Sequence, residues 1–220
     1  MILSRQVHTV AVIPAFNEEK TIAAVVQGVL AYVSEVIVVD DCSTDATLAE
    51  AQRVSANVLH HEINSGYDAS LNDGFALAVR HGAEIIITFD ADGEHDSHDI
   101  PHLLTSIIDG VADIVIGQRL RTMHAAEKIL AWYTRLRWGI KDPLCGLKAY
   151  RREVYEAVGY FDSLQSIGTE LLCRGLSMGF RVTSVPISMH SRNNDTSRFY
   201  ARSFQANIKI LKAMMRIRKI

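Results

Sequence analysis

Five short runs rich in β-branched residues alternate with longer apolar patterns of helical spacing through the first half of this chain. We predict that the runs are strands and the stretches between them are helices, because this alternation is typical of right-handed βαβ units around a parallel sheet. The predicted strands are residues 9–13, 35–39, 56–60, 84–89 and 113–116. The predicted helices are residues 18–32, 46–54, 69–81 and 100–108.

The second half is less regular. Helical spacing recurs over residues 125–138, 170–178 and 199–217, and short strand-like runs cover residues 146–150 and 180–187. No repeat, low-complexity stretch or Pro/Gly-rich linker divides the sequence, which predicts a single α/β domain over residues 1–220 with a mostly parallel central sheet flanked by helices. We expect nucleotide binding in residues 1–117, acceptor binding in residues 118–198 and a basic amphipathic helix over residues 199–220.

Composition excludes several classes of protein. The 220 residues are 48% apolar, which is enough for a sizeable core, and the formal net charge of -2 argues against a nucleic-acid-binding protein. The three cysteines lack metal-ligand spacing, so we expect no disulfide framework and no structural zinc. No apolar run approaches a membrane span and no signal peptide is evident, so the expected location is cytoplasmic, with peripheral contact at the membrane left open.

Asp90 and Asp92 follow an apolar run with one residue, Ala91, between them. A strand end holds the backbone, and this spacing lets both carboxylates turn toward one hard divalent cation, Mg²⁺ or Mn²⁺, which prefers oxygen ligands. A solvated acidic turn is the alternative interpretation. Glu94 follows closely, and two other strands with polar ends are expected beside this one, which favours a metal site that would hold a diphosphate.

Polar residues also follow the first three predicted strands. Pro14 is expected to end the pairing of the first strand, after which Asn17 either contacts a nucleoside or caps the next helix. Asp41 follows the second strand and is a candidate to bind a base or ribose. Gly66 precedes a predicted helix whose unpaired N–H groups suit an anionic ligand, although a plain turn and cap would use the same residues.

Several of these segments occur together in a known order. They are residues 12–19 (VIPAFNEE), 38–45 (VVDDCSTD), 64–67 (NSGY), 89–95 (FDADGEH), 117–119 (GQR) and 142–152 (DPLCGLKAYRR). With them the chain resembles the family 2 glycosyltransferases of GT-A fold, particularly the polyprenyl-phosphate glycosyltransferases related to dolichol-phosphate mannose synthase. The resemblance spans roughly residues 8–200.

The resemblance implies roles for individual residues. A nucleotide-sugar donor would contact Pro14, Ala15, Asn17, Glu18, Asp41, Gly66, Asp68, Asp90 and Ala91. A Mg²⁺ or Mn²⁺ ion on its diphosphate would be held by Asp90, Asp92 and Glu94. Arg119 and Arg192 are similar to arginines that face phosphate, a role that suits the planar guanidinium, with Ser197 and Arg198 nearby in sequence. Asp68 departs from the family, which commonly has a small residue there.

The implied activity is an inverting transfer of a hexose from a GDP- or UDP-linked donor to a polyprenyl phosphate. A phosphate acceptor is already anionic and needs no base, whereas a hydroxyl of a glycan or glycolipid would need a carboxylate, for which Asp142 and Glu170 are the candidates. A non-catalytic nucleotide-sugar-binding protein and a sugar-phosphate nucleotidyltransferase are the alternatives. The glycine-rich loop of the latter class is not evident, and a phospho-accepting receiver domain would be about half this length.

The C-terminal segment is strongly basic. No acidic residue occurs from Arg198 onward, and its cations are interleaved with apolar residues. A basic amphipathic helix can lie on an anionic membrane surface, which a lipid-linked acceptor would favour. The alternative is a helix that packs on its own domain and keeps a solvated basic face.

Overall fold

The computed structural model describes residues 7–54, 56–120, 125–190, 203–218 and 220, and of residues 203–206 the backbone only. The strands are β1 (Thr9–Ala15), β2 (Glu35–Asp40), β3 (Asn57–His60), β4 (Ile85–Thr88), β5 (Ile114–Arg119), β6 (Lys148–Arg151) and β7 (Val182–Ile187). The helices are α1 (Ile22–Leu30), α2 (Thr47–Arg53), α3 (Tyr67–Arg80), α4 (Ile100–Ile108), α5 (Ala125–Trp138), α6 (Arg152–Val158), α7 (Glu170–Ser177) and α8 (Ser203–Ile217).

All seven strands join one sheet in the order β3-β2-β1-β4-β6-β5-β7. Every neighbouring pair is parallel except the two pairs that β6 makes, with β4 and with β5. The predicted α/β class with a mostly parallel sheet is therefore confirmed. The carboxyl ends of β1, β2 and β4 meet at one edge, which is where open α/β sheets bind ligands.

The predicted elements are present with shifted ends. The first helix begins at Ile22 rather than at residue 18, because the preceding backbone bonds to the next loop: the Glu18 N–H donates to Thr47 Oγ1 at 2.7 Å and the Glu19 N–H to Asp45 at 3.3 Å. Helix α6 was not predicted. The predicted tail helix is described from Ser203, and residues 199–202 lie outside the described residues.

The prediction that Pro14 ends the first strand is wrong. Strand β1 continues to Ala15, and Pro14 stands opposite Val39 in the register with β2. Pairing with β4 on the other side stops two residues before Pro14, at Val12 opposite Thr88. A proline lacks an N–H to donate, and here it lies beyond the last paired residue of β4, so the ladder loses no hydrogen bond.

The core lies between the central strands and the helices packed on both faces. β1, β2 and β4 contribute continuous buried runs, as expected for parallel strands covered on both sides. On one face Phe75 of α3 packs against Phe161 with a ring-centroid distance of 4.6 Å, and Tyr150 of β6 closes the same cluster. A second apolar cluster joins α5 and α8.

Helix α3 lies unusually close to the sheet at Gly74. A Cβ built on Gly74 would overlap Val12 Cγ1 of β1 and would lie 3.2 Å from Val39 Cγ2 of β2. The missing side chain therefore sets the distance between this helix and the two strands that carry Asp41 and the first loop of the cavity.

We predict that Gly74→Ala lowers the free energy of unfolding by about 1–3 kcal/mol, although alanine is the better helix former, because the new methyl group forces helix and sheet apart. Urea unfolding of the four members of a Gly74→Ala, Val12→Ala cycle measures the effect. The double variant should lose less stability than the sum of the single variants, since Val12→Ala removes the overlapping atoms. Additive losses would contradict this account.

Candidate functional site

A cavity of approximately 860 Å³ lies at the carboxyl ends of β1, β2 and β4. One side of it is acidic and comes from the loops after these strands, including Asp41, Asp90 and Asp92. Another part of the lining is basic and comes from the end of β5 and from α8. The lining includes, among the predicted site residues, Pro14, Ala15, Glu18, Asp41, Gly66, Asp68, Asp90, Ala91, Asp92, Glu94 and Arg119.

Asp41 organises the loop between β3 and α3. Its Oδ1 accepts from the Ser65 N–H at 2.8 Å and from His61 Nδ1 at 2.8 Å, and its Oδ2 accepts from the Gly66 N–H at 2.7 Å. Gly66 has φ 91, a conformation that glycine adopts without strain. Asp41 is 4% exposed, so its carboxylate holds the loop that begins α3 and presents only part of its surface to the cavity.

Asn17 bonds to the loop after β2. It has φ 54, and its side-chain oxygen accepts from the Thr44 N–H at 2.7 Å while its own N–H donates to Ser43 Oγ at 2.9 Å. Asn17 thereby ties the loop after β1 to the loop after β2, and it is absent from the cavity lining. It shapes the predicted nucleoside pocket through its neighbours Ala15 and Glu18, which do line the cavity.

The Asp90 carboxylate is held on three sides. Tyr67 Oη donates to Oδ1 at 3.2 Å, and His95 Nε2 lies 3.3 Å from Oδ2. On the third side Gly146 comes so close that any Cβ there would overlap the carboxylate. Burial opposes ionisation of Asp90, but the hydrogen bonds with His95 and Tyr67 and the charges of His95 and Lys148 outweigh it and hold the pKa of Asp90 below its ordinary value.

The residues predicted to bind a metal share this part of the cavity. Asp90, Asp92 and Glu94 all line it, and the Glu94 N–H donates to Asp92 Oδ1 at 3.0 Å. In the described part of the chain no group of three or more His, Cys, Asp or Glu side chains is arranged to hold a metal ion by itself. Mg²⁺ is commonly bound by one or two carboxylates together with substrate phosphates and water, and this donor set fits that pattern.

Arg119 ends β5 and is locked by carboxylates. Its Nε donates to Asp142 Oδ2 at 2.8 Å and its Nη2 to Asp142 Oδ1 at 2.6 Å, with Glu127 Oε1 at 3.6 Å. Burial alone would lower the pKa of Arg119, but the bonds to Asp142 and the charge of Glu127 raise it above its ordinary value. Asp142, a predicted base, is 2% exposed and serves to orient Arg119.

The other predicted base is also engaged. Glu170 is fully buried at the start of α7, where its oxygens accept from the N–H groups of Ser163 and Leu164 at 2.6 and 2.9 Å and from Arg174 Nε at 2.7 Å. Neither Glu170 nor Asp142 lines the cavity in the described structure. In the described structure these two carboxylates hold a loop and an arginine in place.

The loop before α7, residues 162–169, lines part of the cavity. Asp68 of α3 accepts from the Gly168 N–H at 2.7 Å and from the Ile167 N–H at 3.3 Å. Ile167 has φ 58 and Gln165 has φ 53, so two non-glycine residues occupy the left-handed region and need such anchors. Burial and then the charge of Asp162 raise the pKa of Asp68 from 3.8 to about 6.

Helix α8 forms the basic wall. Lys209, Lys212 and Arg216 line the cavity from one face of the helix, and Arg216 Nη1 donates to Leu164 O at 2.7 Å. A second face packs against α5 through Ile210, Ala213 and Ile217, which are fully buried. The packing alternative thus accounts for the buried apolar residues of the tail, and no described contact supports a membrane surface. No described helix is long and apolar enough to cross a bilayer.

Three of the expected residues, Arg192, Ser197 and Arg198, lie outside the described residues.

Sequence reasoning missed Tyr67 and Lys148. Both line the cavity, and each lay in one of the family-like motifs without an assigned role. It also missed the position of Lys209, Lys212 and Arg216. Their spacing of three and four residues was the available signal, because it places them on one helix face.

Comparison with known proteins shows the family. A family model described as glycosyl transferase family 2 matches residues 10–159. A polyprenol monophosphomannose synthase of Mycolicibacterium smegmatis is 32% identical over 216 residues, covering 86% of this chain and 80% of the relative. An undecaprenyl-phosphate mannosyltransferase of Micrococcus luteus is 28% identical over 204 residues, covering 82% and 83%. The chain therefore belongs to glycosyl transferase family 2 and is a glycosyltransferase.

A solved structure agrees on the fold. The glucosyl-3-phosphoglycerate synthase of Mycobacterium tuberculosis, crystallised with Mn²⁺ and UDP-glucose, superposes with a TM-score of 0.74 at 22% identity, covering 94% of this chain and 79% of that one. The likeness identifies the GT-A fold. The resemblance predicted from the motifs is confirmed.

We predict that Gly146→Ala weakens binding of a divalent cation with a nucleoside diphosphate about tenfold, or about 1.4 kcal/mol, because the new methyl group displaces the Asp90 carboxylate. Gly146 has no positive φ, so alanine is compatible with the backbone. Calorimetric titration with Mn²⁺ present measures the loss, with Asp90→Asn as the reference. Affinity equal to that of the unchanged protein would contradict the role of Gly146.

A second prediction concerns Asp68. Because its pKa is raised on folding, the native state binds more protons than the unfolded state between pH 3.8 and about 6, and its contribution to stability is lost as the pH rises through that window. Across this window the contribution of Asp68 to the free energy of unfolding changes by at most about 3 kcal/mol. Solvent screening of the partly exposed group makes the change smaller. Relative to wild type, Asp68→Asn should therefore gain stability from pH 4 to pH 7 in urea unfolding. Parallel pH profiles would contradict the raised pKa.

Proposed function

We propose that this chain is an inverting, metal-dependent glycosyltransferase that moves a hexose from a nucleotide-sugar to a polyprenyl phosphate. The observation that carries the proposal is one cavity with two oppositely charged walls, one of strand-end carboxylates and one of cations on α8 and β5. The relatives named above, which act on polyprenyl phosphates by their names, support the same acceptor class.

The carboxylate wall suits the donor. The loops around Pro14, Ala15 and Asp41 form the side where a nucleoside would lie, and Gly66 at the start of α3 lines the same cavity. We assign the diphosphate to the region of Asp90, where oxygen ligands for a cation are grouped. In this arrangement residues 1–117 bind the donor and later residues bind the acceptor.

Asp90, Asp92 and Glu94 would hold the divalent cation. When bound, such an ion neutralises the charge that builds on the nucleoside diphosphate as it leaves. Tyr67 and His95 keep the Asp90 carboxylate ionised and aimed into the cavity before any ligand arrives. This preorganisation means that the protein does not have to rearrange these groups when donor binds.

The basic wall suits an anionic acceptor. Lys209 and Lys212 of α8 line the cavity, and Arg216 donates to Leu164 O in the loop before α7. Arg119 adds a cation whose orientation Asp142 fixes. An acceptor phosphate held there needs no base, which agrees with the engagement of Asp142 and Glu170 in other bonds.

The direct test is a transfer assay with the full chain. UDP- and GDP-linked hexoses are incubated with Mn²⁺ and detergent-dispersed undecaprenyl phosphate, and organic-soluble products are analysed by mass spectrometry. We expect one donor to yield a lipid-linked hexose, with no product from the Asp92→Asn control. Product on an added glycan but none on the lipid would favour the hydroxyl acceptor. Binding of donor without any product would favour a sensor.

We predict that Lys209→Gln with Lys212→Gln raises the KM for a short polyprenyl phosphate about fivefold, a loss of about 1 kcal/mol, because two cations facing the phosphate are removed. The affinity for the nucleoside diphosphate should stay the same. The matched control is Lys128→Gln with Arg135→Gln, which removes two exposed cations from α5, outside the cavity. An equal rise in KM in the control would show that only the net charge of the protein matters.

A further inference from the structure

Lys148 occupies a fixed position at the boundary between the sheet and the cavity. It is the first residue of β6 and stands opposite Thr88, the last residue of β4, in the antiparallel register. Its N–H donates to Thr88 Oγ1 at 3.2 Å, and Thr88 Oγ1 donates to Gly146 O at 2.6 Å. Since β4 leads within two residues to Asp90, the strand pairing and these hydrogen bonds of Thr88 place Lys148 beside the carboxylate wall.

The side chain of Lys148 is buried with little compensation. The residue is 2% exposed and lines the cavity, and among the described residues its Nζ has one hydrogen-bond acceptor, Gly168 O at 3.0 Å. No ion pair to Lys148 occurs in the described part of the chain. An ammonium group carries three donors, and burial of such a charge is costly unless it is paired.

Arg119 provides the contrast within the same cavity. Its guanidinium is also largely buried, but it is paired with Asp142 at 2.6 Å and has Glu127 at 3.6 Å. Lys148 makes no such ion pair among the described residues. The charges of Asp90 and Asp142 act on it without a salt bridge, and the proposed diphosphate region lies beside Asp90. The bond to Gly168 O does not explain the charge, because a neutral amide donor would support the loop equally well without the cost of burying an ammonium.

We infer that Lys148 binds a phosphate oxygen of the ligand in this cavity and supplies the positive charge that the described protein groups leave unpaired. The inference deepens the proposed function and rests on it. Two phosphates belong to the proposed reaction, the diphosphate of the donor and the monophosphate of the acceptor. Both present the same anionic oxygen, and the affinities of separate ligands distinguish them.

The test compares Lys148→Gln with wild type by calorimetry. Glutamine keeps a donor for Gly168 O and removes the charge. The ligands are uridine and guanosine, their monophosphates and diphosphates with Mn²⁺, the corresponding hexose donors, and farnesyl phosphate as a soluble acceptor probe. Lys128→Gln, an exposed position on α5, is the control for the loss of one positive charge. Thermal unfolding of each variant reports on the loop.

If Lys148 binds the donor diphosphate, Lys148→Gln loses about ten- to a hundredfold in affinity for the diphosphate, while the affinity for the nucleoside is unchanged. If it binds the acceptor, the loss occurs with farnesyl phosphate instead. Either result supports the inference, provided that Lys128→Gln matches wild type and the melting temperature of Lys148→Gln is close to that of wild type.

Three results would overturn it. Equal affinities for all ligands would show that the charge is not used, and an equal loss for every ligand with a lowered melting temperature would show that Lys148 only supports the loop. A loss confined to the hexose donors would assign Lys148 to the sugar. These results leave the proposed function standing if wild type binds a diphosphate, whereas a wild-type protein that binds no phosphate ligand would remove both.

Discussion

The pairing of β6 between β4 and β5 is the constraint on which the chemistry of the cavity depends. An antiparallel strand inserted there runs its first residues past the end of β4, and it brings the segment from Gly146 to Lys148 against Asp90. The absence of a side chain at Gly146 leaves room for the carboxylate, and Lys148 adds a buried cation at the same place. A purely parallel sheet would have separated these groups by a crossover helix.

Most of the buried carboxylates around the cavity stabilise loops. Asp41 holds the start of α3, Glu170 and Asp162 hold residues 163–166, and Asp142 holds Arg119. Each accepts two or more hydrogen bonds, which offsets the cost of burying its charge. The strand-end groups that remain directed into the cavity, Asp90 and Asp92 above all, are then positioned by a rigid surround, and this is the condition for electrostatic preorganisation.

Helix α8 shows how one amphipathic pattern serves two purposes. Its apolar residues at 210, 213 and 217 are buried on the side of α5. Its cations at 209, 212 and 216 line the cavity. A third side of the helix leaves Ile208, Leu211 and Met215 exposed. A basic amphipathic sequence is typical of membrane-surface helices, and that is what the composition suggested. The contact with α5 and the position beside the cavity turn these cations toward the cavity.

The sequence by itself determined the α/β class, the strands β1 to β5 and the acidic strand ends, because hydrophobic period and strand-end chemistry are local properties of the chain. It also carried the family resemblance through its ordered motifs. It did not reveal α6, the passage of β1 through Pro14, or the engagement of Asp142 and Glu170, since each depends on which partner a residue meets across the fold. A carboxylate in a motif is equally suited to bind a ligand, an arginine or a loop. Only the tertiary structure decided among these, because the residues that Asp142, Glu170 and Lys148 contact come from other segments of the sequence. Those segments meet only when the chain has folded.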